Sequence, residues 1–185
     1  MRTLSPLLLS LTLLLVPALA RAETWTVDTS HSTLGFSGSY QGEAFRGHFG
    51  TFTARIDFTP GQPDRDRFEV TVDLASVNTD NGERDQTLTG PDFFDTARFS
   101  QAHFVTTAFH ARPNGSLTAD GTLTLRGITR PVALHVTFTP QGKDAVLRVD
   151  TTLDRLAYDL GTSSDWNGIS RQIAVQGRLL LRIKH

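Results

Sequence analysis

The residues of this 185-residue chain that could do chemistry are six histidines and scattered carboxylates and serines, with no cysteine among them. His31, His48, His103, His110, His135 and His185 never fall into His-x-His or His-Glu-x-x-His. Those spacings aim two imidazoles at one metal from a strand or a helix. With no thiolate to complete a set, no metal ligands are assigned. His135 alternates with the apolar residues of its segment and should face solvent. Asp28-Thr29-Ser30-His31-Ser32 gathers hydrogen-bonding groups at the start of a strand, where fixing a turn is the better reading than general-base chemistry. Ser32 beside His31 has no reason to be an activated nucleophile, because neighbours on a strand point to opposite faces. No Gly-x-Ser-x-Gly elbow occurs. Asp57, Asp73 and Asp150 occupy polar positions of alternating segments and read as solvated. No catalytic residue is assigned, no cofactor is implied, and the chain reads as non-enzymatic. Arg84, within Gly82-Glu83-Arg84-Asp85, is a candidate polar contact through its guanidinium fork, or one half of a salt-bridged turn.

The aromatic residues are more telling. Twelve Phe stand beside two Trp and two Tyr. Phe36, Phe45, Phe49, Phe52 and Phe58 crowd the first third; Phe93, Phe94, Phe99, Phe104 and Phe109 crowd the middle, with Trp166 near the end. Most must serve core packing, at roughly 1.5–3 kcal/mol per buried ring. A barrel offers them a second use, as the walls of a cavity for one apolar ligand. The net charge of -1, with no basic run, gives no footprint for a phosphate backbone, so nucleic acid is excluded as a partner.

Two kinds of element must position these side chains. Arg2, the Leu-rich run Leu7 to Val16 and Ala20-Arg21-Ala22 read as a secretory signal peptide over residues 1–22. The run ends at Pro17, too short for the roughly 20 apolar residues that span a bilayer. One domain follows over 23–185, expected in the periplasm, soluble, and without a cysteine to carry a lipid. Within it, apolar residues recur at every second position in Phe52–Phe58, Phe68–Leu74, Leu117–Leu125, Val132–Phe138, Ala145–Val149 and Val175–Ile183. Pro60-Gly61, Pro113-Asn114-Gly115, Gly127, Pro140-Gln141-Gly142 and Gly161 punctuate them. The stretch 83–97 breaks the rhythm and is expected as a short helical excursion. The fold class is all-β. About eight antiparallel strands suit a single closed, lipocalin-like barrel, although alternation alone also fits a sandwich.

Three stretches, read in order, resemble the YceI-like family of periplasmic lipocalin-like proteins associated with polyisoprenoid binding. The first is Trp25-Thr-Val-Asp28-Thr-Ser-His31-Ser32-Thr-Leu34-Gly-Phe36. The second runs through Ser76-Val77-Asn-Thr79, Arg84-Asp85-Gln-Thr-Leu88, Phe93-Phe94-Asp95 and Ala102-His-Phe104. The third is Gly121-Thr-Leu123-Thr124-Leu125-Arg-Gly127-Ile-Thr129-Arg-Pro131-Val132, with a tail at Arg155-Leu-Ala-Tyr158-Asp-Leu-Gly161. Tyr40 stands where many relatives carry histidine, and Ser100 where proline is usual. Phe45-x-Gly47-x-Phe49 and Asp165-Trp166 are similar to the branch linked to membrane b-type cytochromes, which implies an isoprenoid quinone among the ligands.

Both lines of reasoning lead to an exported barrel with an apolar, aromatic interior, and the resemblance implies that it binds, transports or sequesters a long-chain isoprenoid or related lipid there. The wall is expected at Phe36, Phe49, Ile56, Phe58, Val70, Val72 and Phe93. Phe94, Phe104, Leu134, Val136, Phe138, Tyr158 and Trp166 complete it. His31 and Arg84 are the candidate head-group contacts. Transient contact with a membrane redox protein and a homodimer are further partner candidates. An exported enzyme or haem- or metal-using protein acting on a lipid, or an interaction module for a membrane cytochrome, are the alternatives. Once the Leu-rich leader is set aside, the remaining apolar share is thin for a solid β core without disulfides, and a ligand-completed interior fits it better.

Overall fold

The computed structural model describes residues 23–59, 66–113 and 115–183; the expected signal peptide at 1–22 and His185 lie outside the described residues. Among these residues ten strands form one antiparallel sheet. They are β1 Glu23–Tyr40, β2 Glu43–Phe49, β3 Phe52–Phe58, β4 Arg67–Asp73, β5 Val77–Asn78, β6 Gln101–Ala111, β7 Leu117–Leu125, β8 Ile128–Gln141, β9 Asp144–Asp154 and β10 Gln172–Ile183. β2 and β3 run one after the other along β1, and β5 and β4 run alongside β2 and β3, so the ten strands fill eight positions. The sheet closes because β1 also pairs with β10, from Trp25 opposite Ile183 to Ser37 opposite Ala174. The result is the eight-stranded antiparallel barrel expected from the alternation. Two-residue turns at Gln41-Gly42 and Arg126-Gly127, each with two positive φ angles, give the hairpins the twist their strands need.

All six alternating segments form strands, as β3, β4, β7, β8, β9 and β10, save that Leu74 lies just past β4 in a 3-10 turn. The excursion is a helix, α1 Gly82–Thr89, capped by the Asn81 side chain on the Arg84 amide, followed by turns up to β6. Asp85 fastens this helix to the barrel by accepting hydrogen bonds from Thr79 N at 2.8 Å and Thr79 Oγ1 at 2.6 Å. One expectation needs correction. Asp57 points to the outer face but is 9% exposed, with its Oδ2 receiving Arg55 Nε at 2.9 Å from two residues along that face.

The barrel interior differs along its axis. Around the start of β1, rings touch in a continuous chain: Trp25 on Phe138 at 5.4 Å, Phe138 on Phe58 at 4.6 Å, Phe58 on Phe68 at 6.2 Å and Phe68 on Phe109 at 4.8 Å. Ile56, Ala119, Leu147 and Leu181 are 0% exposed among them, and Trp25 Nε1 donates to the Phe58 carbonyl at 3.1 Å. This end is packed solid. Phe36 stands eleven residues farther along β1, roughly 35 Å at ~3.3 Å per residue, and belongs to a different environment.

The Asp28–Ser32 motif seals the seam between β1 and β10, where the register shifts between Asp28 and Thr33. Asp28 Oδ1 accepts from Ser30 Oγ at 2.6 Å, and Oδ2 accepts from Arg182 Nη2 at 2.6 Å and faces His31 Nδ1 at 3.1 Å. Ser32 Oγ donates to the Asp28 carbonyl at 2.6 Å and accepts from Leu180 N at 2.9 Å, which replaces ladder bonds lost at the bulge. Hydrogen bonds from Ser30 and His31, helped by the Arg182 charge and opposed by burial, hold the Asp28 carboxyl at about 2, against its usual 3.8. A carboxyl depressed in the folded state stabilises it fully above the unfolded value and loses that contribution as pH falls through the folded one. Chemical denaturation between pH 5 and about 2 should therefore show a falling acid limb that Asp28→Asn flattens. An unchanged limb in the variant would show that the seam carries no such linkage.

Candidate functional site

A cavity of about 170 Å³ occupies the other end of the barrel. Leu34 and Phe36 of β1, Phe45 and Phe49 of β2, and Val72 and Leu74 at the end of β4 form one side. The excursion contributes Leu88, Phe93 and Phe94; β6 and β7 contribute Ala102, Leu123 and Leu125. Leu153, Arg155, Tyr158, Leu160 and Ile169, from the end of β9 and the loop after it, close the wall together with Ile173 and Val175 of β10.

Alternation along β1 and β2 turns Phe36, Phe45 and Phe49 inward, where Phe36 meets Phe45 at 6.5 Å and Phe49 at 5.5 Å, and Phe49 meets Phe94 at 5.9 Å. Gly47, directly opposite Phe36, makes room for that ring: a Cβ there would lie 2.4 Å from it. Only glycine lets the ring lie flat over its neighbouring strand.

Two wall residues carry polar side-chain atoms, and neither offers them to the cavity. Arg155 is 6% exposed and gives all five N–H groups to backbone carbonyls. Nε reaches Ser170 at 3.2 Å, Nη1 reaches Leu160 at 2.7 Å and Gly161 at 2.5 Å, and Nη2 reaches Trp166 at 3.0 Å and Ile169 at 3.2 Å. Burial lowers its pKa, and the neighbouring Asp154 carboxylate opposes that shift. Tyr158 is 2% exposed; its ring faces the cavity, while its hydroxyl is buried with no hydrogen-bond partner. Burial raises the pKa of that hydroxyl, so it stays neutral. The wall is dry.

The structure thus brings Phe36, Phe49, Val72, Phe93, Phe94 and Tyr158 to the cavity from the set expected in the sequence. Ile56, Phe58, Val136 and Phe138 lie in the solid end, because alternation sets the face of a strand but not the height along the axis. Phe104 is buried with its ring against Gly121, and Val70 and Leu134 pack against the core without lining the cavity. Trp166 stands behind the wall, edge-on to Phe93 at 5.0 Å, with its Nε1 donating to Asp92 Oδ2 at 3.1 Å. His31 is engaged in the seam and is not part of the wall. Arg84 lies beside the wall, its guanidinium carbon 5.9 Å from the centre of the Phe45 ring.

Sequence reasoning missed Phe45, although its spacing of four from Phe49 puts both on one face. It also missed the aliphatic majority and Arg155. Among the described residues no group of three or more His, Asp or Glu is placed to hold a metal ion. His103 and His110 instead face Glu69 at 3.2 Å and Asp120 at 3.0 Å. No described helix is long and apolar enough to cross a membrane.

The YceI-like domain model matches residues 25–181. A UPF0312 protein of Shewanella sp. (strain W3-18-1) is 33% identical over 134 residues, covering 71% of this chain and 70% of its own length. A UPF0312 protein of Shewanella denitrificans is 34% identical over the same shares. Among solved structures, Burkholderia cenocepacia BcnA superposes with a TM-score of 0.78 at 24% identity, over 83% of this chain and 98% of its own. A polyisoprenoid binding domain from Saccharophagus degradans, implicated in plant cell wall breakdown, superposes with a TM-score of 0.67 at 19% identity, over 88% and 99%. These structures share the barrel.

The two polar wall residues should respond oppositely to substitution. Arg155→Leu removes five side-chain hydrogen bonds, leaves the carbonyls of Leu160, Gly161, Ile169 and Ser170 without that donor, and should cost on the order of 3 kcal/mol, with Arg155→Lys restoring part of it. Tyr158→Phe removes an unsatisfied hydroxyl and should leave stability unchanged or raised. Urea midpoints of the three variants check both; a large loss in Tyr158→Phe would show that its hydroxyl has a structural partner after all.

Proposed function

The chain belongs to the YceI-like family, and we propose that it is a non-enzymatic binding protein for a long-chain isoprenoid or related lipid, an isoprenoid quinone among the candidates. Its cavity carries this reading: nineteen wall residues, of which seventeen are aliphatic or Phe and the other two keep their polar atoms turned away. Such a lining repays only the burial of hydrocarbon. Each 100 Å² of ligand surface removed from water contributes about 2.5 kcal/mol, and the Phe and branched aliphatic walls fit a flexible methyl-studded chain. The polyisoprenoid binding domain from Saccharophagus degradans has the same barrel, which supports this class of ligand.

The space compares with the roughly 150 Å³ apolar cavities that stay dry and hold one benzene. One end of a long chain occupies it, and the remainder follows the opening towards the mouth. The Leu-rich residues 7–16 and the small residues before position 23 support export, so the periplasm is the proposed site of action and transport or sequestration the role.

Protein expressed with its own leader and purified from the exported fraction should carry an apolar molecule. Native mass spectrometry and organic extraction would register it. Ala102→Phe projects a ring into the cavity and should abolish the bound mass while keeping the fold. The same exchange at Ala119, which is 0% exposed in the solid end, should instead destabilise by about 1–3 kcal/mol. Lipid-free wild-type protein that also fails to take up added isoprenoid would defeat the reading.

A further inference from the structure

We propose that a chain passes into and out of the cavity through the side of the barrel, along the seam between residues 91–94 and 159–161, and that Arg126 and Trp166 latch this seam. This rests on the apolar-chain reading above and adds a route to it.

A cavity of about 170 Å³ is of the size that holds one benzene. A chain of several isoprene units cannot pass such a space unless the wall moves. Most of the wall is held by paired backbone, since β6 through β10 and on to β1 are joined in ladders, and the opposite end is filled by interlocked rings. The ring of strands is interrupted after β2, whose outer neighbour β5 pairs with it only at His48–Asn78 and Phe49–Val77. Helix α1 and the turns after it fill the interruption, and residues 90–100 belong to no strand. Where those turns meet the β9–β10 loop, no ladder joins the two sides.

At this seam the wall is one residue thick. Pro91, Asp92 and Asp159 are exposed on the outside, whereas their neighbours Phe93, Phe94 and Leu160 are buried and line the cavity. Gly161 N donates across the seam to the Asp92 carbonyl at 2.6 Å. Trp166 Nε1 donates to Asp92 Oδ2 at 3.1 Å, with its ring edge-on to Phe93 at 5.0 Å. Arg126 reaches in from a third element, the β7–β8 turn. Its Nη2 donates to the Pro91 carbonyl at 2.6 Å on one side, and its Nη1 donates to the Asp159 carbonyl on the other. Among the described residues, releasing Arg126 and Trp166 leaves the Gly161–Asp92 bond as the hydrogen bond across the seam. Each side also carries a non-glycine residue in the left-handed region, Asp95 at φ 51° and Asp159 at φ 56°, a backbone state that such residues keep only while their surroundings hold it. Water can take over the exposed carbonyls of Pro91 and Asp159, but not the buried ones bonded by Arg155. The loop therefore stays anchored while the seam parts.

All-trans-retinol, a short isoprenoid alcohol whose emission rises in apolar surroundings, serves as the probe in stopped-flow mixing. Arg126→Gln and Trp166→Phe should each raise its uptake and release rates about tenfold, with the dissociation constant staying within about twofold of wild type. Amide exchange should quicken at Phe93, Phe94 and Gly161 and stay unchanged in β7 and β8. Arg182→Gln removes a comparable arginine bond, to Asp28 at the solid end, and should leave both rates unchanged. Rates unaltered by both latch variants would overturn the proposal. So would weaker affinity through faster release alone, because Arg126 and Trp166 would then only shape the wall. Equal acceleration in Arg182→Gln would overturn it too, as a sign of general loosening. If wild-type protein takes up neither retinol nor a longer isoprenoid, the apolar-chain reading falls and the route falls with it; uptake indifferent to the latch defeats the route alone.

Discussion

The loop between β9 and β10 has no strand partner for much of its length, and a buried backbone carbonyl without a donor is expensive. Arg155 meets that constraint with one side chain, bonding the carbonyls of Leu160, Gly161, Trp166, Ile169 and Ser170. Among the described residues no carboxylate forms an ion pair with it. Asp154, next in the chain, turns to Arg171 at 2.6 Å, which ties the two ends of the loop together on the surface. The wall positions of Tyr158, Leu160 and Ile169 are consequences of this wrapping, since their backbone follows a path set by the guanidinium. Gly161 N then donates to the Asp92 carbonyl at 2.6 Å, and Arg126 bridges the carbonyls of Pro91 and Asp159. One buried cation thus fixes the loop, and the loop fixes the excursion after α1.

Nine of the twelve Phe divide along the barrel axis into a packed group and a group around the cavity. Phe58, Phe68, Phe109 and Phe138 interlock with Trp25 and fill their end, so the barrel has a core that owes nothing to a ligand. Phe36, Phe45, Phe49, Phe93 and Phe94 surround space instead. The thin apolar share of the composition is therefore not spread evenly. A solid plug at one end lets the other end remain hollow without loss of the fold.

How much of this was legible follows from what a strand pattern encodes. Six segments with unbroken alternation were readable, and with them the barrel. β1 and β6 were not, because each contains a register shift, between Asp28 and Thr33 in one and Thr106 and Ala108 in the other, that moves the apolar residues to the wrong parity. In β6, Ala102, Phe104 and Thr106 are buried on one parity and Phe109 on the other. The site was half legible for a related reason. Inward direction can be read from a period of two, so Val72 follows from alternation, while Phe36 and Phe49 follow only from the clustering of aromatics; height along the axis cannot be read, so Ile56, Phe58, Val136 and Phe138 are expected in the wall although they plug the barrel. Arg155 reads as an ordinary surface charge, because its five acceptors are backbone atoms that leave no trace in residue type.

The cavity lies where the sheet is least continuous. Near it β2 gives way to β3 and β4 to β5, α1 and its following turns intervene, and β9 ends in the Arg155 loop. Long, uninterrupted pairings, such as those joining β7 to β8 and β9 to β10, run past plug and cavity alike. Side chains on helix and loop can shift without breaking a strand ladder, whereas widening the plug would disturb paired backbone on every side. Widening of the cavity is therefore cheapest at the wall formed by Leu88, Phe93, Phe94 and Leu160, all carried on helix or loop. The same wall adjoins Arg84 and is held by Arg155, so the part of the cavity carried on helix and loop is bordered by one cation and tied together by another.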